Sequence, residues 1–218
     1  MIVALEGIDG AGKNTLVGEI VGGLNAHGLT VERMSFPRYE DSVHAQLAAE
    51  ALHGRMGDLT DSAHGMAALF ALDRHGAKDT LKRFEGTSDA LLLLDRYVAS
   101  NAAYTSARTG NPEDRRWVSD LEFGRLGLPV PDLQVLVDTE PALARERAER
   151  REACDASRTR DRYERDSGLQ EATYAAYRAM AAENWAGFWL STTDARLIIN
   201  KILEIGGQPG RPGTRSAP

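Results

Sequence analysis

The chain has 218 residues, 42% hydrophobic and 27% charged, with a formal net charge of −6. That suits one domain with a sizeable core, and the acidic balance argues against general nucleic-acid binding, which needs a basic surface. No stretch reaches the roughly 18 to 20 apolar residues of a membrane span, Glu6 and Asp9 stand too early for a signal peptide, and the one cysteine, Cys154, cannot form an internal disulfide, so a reducing cytoplasm is the expected compartment.

Residues 2–5, IVAL, form a short apolar run before a glycine-rich turn and read as a buried strand. From Lys13 onward Leu16, Val17, Ile20, Val21 and Leu24 recur at helical spacing, and Gly28 makes a good stop. TVERMSF, 30–36, alternates and meets Pro37, where a second strand should end. Residues 43–53 and 61–84 are rich in Ala and Leu at helical spacing. ALLLLD, 90–95, is a continuous apolar run and fits a central parallel strand. Helices are expected over 97–108 and 113–126, a buried strand at LQVLVD (133–138), and helices over 140–151 and 167–185. A last strand at FWLST (188–192) and a last helix over 194–204 complete the pattern. Strands alternating with helices mean an α/β fold with a parallel sheet. One domain should span 1–205, with the Gly/Pro-rich 206–218 as a disordered tail. Ligands of such sheets bind beyond the carboxyl ends of the strands. The turn after IVAL, Asp95–Arg96 and Asp138 should therefore share one edge.

That turn carries chemistry. GIDGAGK, 7–13, fits the start of GxxxxGK[ST], the loop that cradles nucleotide phosphates. Gly7, Gly10 and Gly12 permit a backbone that bulkier residues would strain. The N–H groups along Gly7, Ile8, Asp9, Gly10, Ala11 and Gly12 can turn inward, and the helix beginning near Lys13 adds its positive end. Lys13 supplies a cation for the β- and γ-phosphates. Asn14 stands where a Ser or Thr usually binds magnesium, and Thr15 comes one residue later, rotated by about 100°. Magnesium is therefore expected to depend on phosphates, waters and acidic residues more than on position 14. A GTPase would need DxxG and NKxD, but DRYV ends in Val98 and NKIL in Leu203.

Two further clusters matter. RERAERREACDASRTRDRYER, 145–165, holds eight arginines, six acids and no lysine. Charge runs are often solvated helix faces, but Arg grips phosphate with a planar fork, and CDAS between the clusters fits a hinged flap. The excess of two positive charges is too small for RNA. FPRY (36–39), LFALDR (69–74), DRY (95–97) and SNAAY (100–104) supply a flat ring, polar readers and a phosphate-binding Arg. Phe70 and Arg74, and Asn101 and Tyr104, are spaced to share helix faces.

EGIDGAGKNT (6–15), FPRY, LFALDR, DRYVASNAAY (95–104) and RDRYERD (160–166) follow the order of the thymidylate kinases, and the chain resembles that family over most of its length. The resemblance implies a P-loop kinase fold, a five-stranded parallel sheet flanked by helices, with an Arg-rich lid near 145–165. It implies a homodimer that uses ATP and magnesium to phosphorylate dTMP to dTDP. Phe70 should stack on thymine, with Arg74 and Asn101 bonded to its polar edge. Tyr104 should lie against the sugar and favour deoxyribose. Arg96 should hold the dTMP phosphate, with Phe36, Arg38 and Tyr39 lining the site. Asp9 should approach the 3′-hydroxyl or the magnesium, and Asp95 should orient metal and waters. Asp161, Tyr163 and Glu164 match a lid-end motif, Glu164 being a further metal candidate. Gly10 stands where some members carry a catalytic Arg, so the lid should supply that charge through Arg147, Arg151 or Arg158. Catalysis would then be positioning and charge neutralisation, with Lys13 and Arg96 at its centre. A kinase for UMP, CMP or AMP and a non-catalytic nucleotide-binding protein are the alternatives. Tyr104 and the Arg74–Asn101 pair argue against the first. Intact Lys13, Asp95 and Arg96 argue against the second.

Overall fold

The computed structural model describes residues 1–87, 90–154 and 161–207. Five strands, β1 (Ile2–Glu6), β2 (Val31–Ser35), β3 (Leu91–Asp95), β4 (Leu133–Leu136) and β5 (Trp189–Ser191), form one sheet in the order β2-β3-β1-β4-β5. All pairings are parallel, with Ala4 beside Leu94 on one side and beside Gln134 on the other. The three inner strands are covered on both faces, which is why IVAL, LLLL and LQVL are buried throughout. The edge strand β2 keeps Glu32 and Arg33 exposed, which discourages pairing with another sheet.

Between the strands run α1 (Lys13–Ala26), α2 (Val43–Leu52), α3 (Ala63–Gly76), α4 (Lys78–Lys82), α5 (Val98–Thr109), α6 (Asp114–Ser119), α7 (Pro141–Cys154), α8 (Arg162–Arg165), α9 (Ser167–Ala182) and α10 (Ala195–Gly206). The sequence pattern locates most of these but misses the short α8 and two breaks. The segment 61–84 is split between Gly76 and Lys78, and α6 gives way to a π-helical turn over Asp120–Arg125. In that turn Leu126 N–H reaches back five residues to the Leu121 carbonyl. Side-chain caps start the helices around the site: Ser42 for α2, Ser62 for α3, Asp161 for α8 and Asp166 for α9.

The main core lies on both faces of the sheet. A smaller apolar cluster joins α2, α3 and α8 through Ala48, Leu52, Met66 and Tyr163, with Phe70 and Tyr104 packed against it. This satellite forms a wall beyond the carboxyl ends of β1 and β3. Among the described residues no helix is long and apolar enough to cross a membrane. Residues 208–218, most of the expected tail, lie outside the described residues, as does Arg158.

Candidate active site

Two cavities open beyond the carboxyl ends of the strands, and they share Asp9 and Arg96 together with Phe36, Pro37 and Tyr39. The first is lined by Phe36, Tyr39, Phe70, Arg74, Ser100, Asn101, Tyr104, Asp161, Tyr163 and Glu164. The second is lined by Gly10, Gly12, Lys13, Asn14, Thr15, Asp95, Arg147 and Arg151. The sequence pattern thus brings almost every singled-out residue to one of two adjoining walls.

The phosphate loop is shaped by its glycines. Gly12 precedes α1 at φ 100°, and Gly10 sits at φ 80°. A side chain at position 10 would place its Cβ 2.0 Å from the Ala144 carbonyl oxygen. Helix α7 therefore rests on the loop backbone, and no arginine can occupy position 10 in this arrangement. The same helix delivers Arg147, whose Nη1 donates to the Ala11 carbonyl at 3.3 Å. Lys13 folds back, donating from Nζ to the carbonyls of Gly7 (3.1 Å) and Ile8 (3.0 Å). Burial, and then the charge of Arg96, hold the Lys13 ammonium down at about 8.

Arg96 and Asp9 form the junction. Arg96 has a left-handed backbone, φ 67°, an uncommon state for a non-glycine residue. Its N–H donates to the Leu5 carbonyl (2.9 Å), while the next N–H, of Tyr97, donates to Glu6 Oε1 (2.9 Å). Its guanidinium donates to Asp9 Oδ1 (2.5 Å) and Ser100 Oγ (3.2 Å). Asp9 Oδ2 accepts from the Tyr104 hydroxyl (2.7 Å) and Gln170 Nε2 (3.3 Å). Burial would raise the Asp9 carboxyl, but Arg96 and Lys13 outweigh it and hold it at about 2. Burial raises Glu6, whose carboxylate also accepts from Ser100 Oγ.

In the first cavity the half-buried Phe70 ring forms one wall. Arg74 is held by buried Glu122, donating from Nε (2.5 Å) and Nη2 (2.7 Å). Asn101 Nδ2 donates to Glu122 Oε1 (2.8 Å) and the Ala67 carbonyl (3.0 Å). Tyr163 stacks on Tyr104 with ring centres 6.0 Å apart. Asp161 Oδ1 accepts from the N–H groups of Tyr163 and Glu164, capping α8. Glu164 faces Arg151 at 3.5 Å. Burial, with Asp9 and Asp161 nearby, pushes the Glu164 carboxyl up to about 7.

Arg38 is not brought to either cavity. Its Nε reaches Asp73 Oδ1 at 3.0 Å, and Nη2 reaches the Asp73 carbonyl, so it ties the FPRY turn to α3 instead. Among the described residues no group of three Asp, Glu, His or Cys side chains could hold a metal ion together, so Asp9, Asp95 and Glu164 do not form one three-carboxylate set. The Asp9 carboxylate is bonded to Arg96 and Tyr104. Asp95 fits a magnesium ion on its own terms. Its Oδ1 is buried without a hydrogen-bond partner beside the loop, and magnesium takes one or two carboxylates with phosphates and waters. Asn14 and Thr15 are both exposed on the same wall.

Sequence reasoning did not find Glu6, Ser100, Glu122 and Gln170. Each is a buried polar residue, and a charged residue on an apolar face of a helix or strand is the signal that could have found two of them.

The family model described as thymidylate kinase matches residues 5–200. A thymidylate kinase of Mycobacterium tuberculosis is 50% identical over 193 residues, covering 87% of this chain and 90% of the relative. The thymidylate kinase of Leifsonia xyli subsp. xyli is 34% identical over 185 residues, covering 84% of this chain and 82% of its own. That of Xanthomonas euvesicatoria pv. vesicatoria is 36% identical over 167 residues, covering 76% and 68%.

Proposed function

The chain belongs to the thymidylate kinase family and phosphorylates dTMP to dTDP; we propose that ATP with magnesium is the donor and that the two cavities hold the two nucleotides. The observation that carries this reading is the shared junction: the phosphate-loop cavity and the ring-lined cavity meet at Asp9 and Arg96. Two phosphates entering from opposite sides would meet beside that arginine.

The acceptor phosphate is an anion at neutral pH and needs no strong base. The difficulty is bringing two anions together, and the chain answers with positioned cations. Lys13 exchanges its carbonyl partners for the β- and γ-phosphates. Arg96, fixed by Asp9 and Ser100, holds the acceptor phosphate. Arg147 and Arg151 reach the transferring group from α7, which acts as the described part of the lid; Arg158 is a further candidate that lies outside the described residues. A Glu164 carboxyl near 7 is partly protonated at neutral pH, which lessens its repulsion of an incoming phosphate. Asp95 would hold the magnesium, which polarises phosphate oxygens when bound. Phe70 stacks on the base, Arg74 and Asn101 bond its edge, and Tyr104 with Asp9 meets the sugar. The family resemblance also carries a homodimer and a cytoplasmic location.

An ADP-release assay tests the reading, with ATP, magnesium and dTMP, dUMP, UMP, dCMP, AMP or GMP in parallel. A strong preference for dTMP is expected. Comparable turnover of UMP or AMP would overturn the base and sugar assignments, and ATP binding without turnover would overturn the enzyme itself.

A further inference from the structure

Glu122 touches neither cavity, yet it decides what the acceptor cavity presents. An ionised carboxylate only accepts hydrogen bonds. Glu122 Oε1 and the Ala67 carbonyl both face the same end of the Asn101 amide, at 2.8 and 3.0 Å. Two acceptors at one end force both N–H groups of Asn101 toward them. A flipped amide would set oxygen against a carboxylate and a carbonyl. Asn101 is 5% exposed and lines the cavity, so the group left for a ligand is Oδ1, an acceptor. The same carboxylate takes Nε and Nη2 of Arg74, which leaves Nη1 as the donor beside it.

We propose that Glu122 is a positioning residue that fixes the hydrogen-bond polarity of the base-reading pair, acceptor at Asn101 and donor at Arg74, and thereby selects thymine or uracil over cytosine. The proposal rests on the reading that dTMP occupies this cavity. A thymine edge offers a donor at N3 and an acceptor at O4. Cytosine offers the reverse, an acceptor at N3 and a donor at N4. Cytosine would therefore leave two buried polar groups unpaired, the situation in which a site rejects an analogue most strongly. The local fold is built for this. Glu122 is fully buried in the π-helical turn, 48 residues from Arg74 and 21 from Asn101. A buried ion pair of this kind contributes little net stability, whereas fixing one arrangement is a use it serves well.

The test compares kcat and KM for dTMP and dCMP in the unsubstituted enzyme and in Glu122→Gln. A glutamine can turn a donor toward Asn101, which removes one of the two acceptors that hold the amide; the flipped amide, N–H groups toward the ligand, is then opposed by the Ala67 carbonyl alone and becomes accessible. The expected result is a fall of at least about tenfold in the dTMP-to-dCMP ratio of kcat/KM, carried mainly by KM. Equal losses on both nucleotides, with the ratio unchanged, would overturn the proposal, because loss of folded enzyme lowers every rate alike. A second measurement needs no variant that must fold. In the ligand-free protein, the Asn101 side-chain amide protons, assigned by comparison with Asn101→Ala, should exchange slowly with water and shift little when dTMP binds. Fast exchange would place them in the open cavity and sink the idea. This readout does not depend on turnover, so failure of dTMP as a substrate and failure of the Glu122 role give different results.

Discussion

The two cavities are built to different standards. On the acceptor side, Arg74, Asn101, Tyr104 and Arg96 each make at least one bond of 2.8 Å or shorter to a carboxylate, and three of those bonds converge on Glu122. On the donor side the cations rest on weaker partners. Lys13 lies on two loop carbonyls, Arg147 on one at 3.3 Å, and Arg151 on Glu164 at 3.5 Å. On the proposed reading, recognition of the acceptor needs no rearrangement, whereas phosphoryl transfer needs three cations to change partners. Specificity would then be stored in the resting protein, and the catalytic arrangement completed by the donor nucleotide.

Variants can break or sharpen this contrast. The largest effect belongs to Arg151→Ala. It should lower kcat by about 10³-fold or more while KM for dTMP moves only a few-fold. If steady-state kinetics showed the loss in KM alone, Arg151 would belong to acceptor binding and the division would blur. Gly10→Ala should follow, because its Cβ would meet the Ala144 carbonyl at 2.0 Å. Displacing α7 or the loop should cost about 1–3 kcal/mol, read as a lower midpoint in denaturant, together with lost activity. An unchanged midpoint would mean that α7 does not rest on the loop in solution.

A smaller effect concerns protons. Lys13 at about 8 is about three-quarters neutral at pH 8.5. Phosphates favour its charged form, so ATP binding at that pH should take up most of one proton. The uptake should fade as pH falls below 7. Calorimetry in buffers of different ionisation enthalpy would detect it, and proton release would contradict the assignment. The smallest effect is expected for Asn14→Ser. The magnesium requirement should stay within about twofold, since Asp95 and the phosphates fit the ion without that side chain. A many-fold tighter requirement would show that the missing hydroxyl matters.

The same contrast explains what the sequence could reveal. Strand order of appearance, the inner apolar strands and the phosphate loop are local patterns, so IVAL, LLLL and GIDGAGK were legible without coordinates. Phe70, Arg74, Asn101 and Tyr104 were legible as pairs because helix spacing places them on common faces. Glu122, Glu6 and Gln170 were not. Their partners lie 48, 94 and 161 residues away; a carboxylate on an apolar face hints that Glu6 and Glu122 are buried, but no local pattern says what they pair with. The Asp73 contact of Arg38 was illegible for a related reason. FPRY places it near the site, but Asp73 on α3 draws the guanidinium away.

The most direct test of the central claim is calorimetric binding of dTMP and dCMP to the unsubstituted protein with no donor nucleotide present. A preformed acceptor cavity predicts that dTMP binds alone and is preferred over dCMP by about 100-fold or more. Equal affinities, or dTMP binding only after ATP is added, would contradict it and place specificity in a closed state that the donor creates.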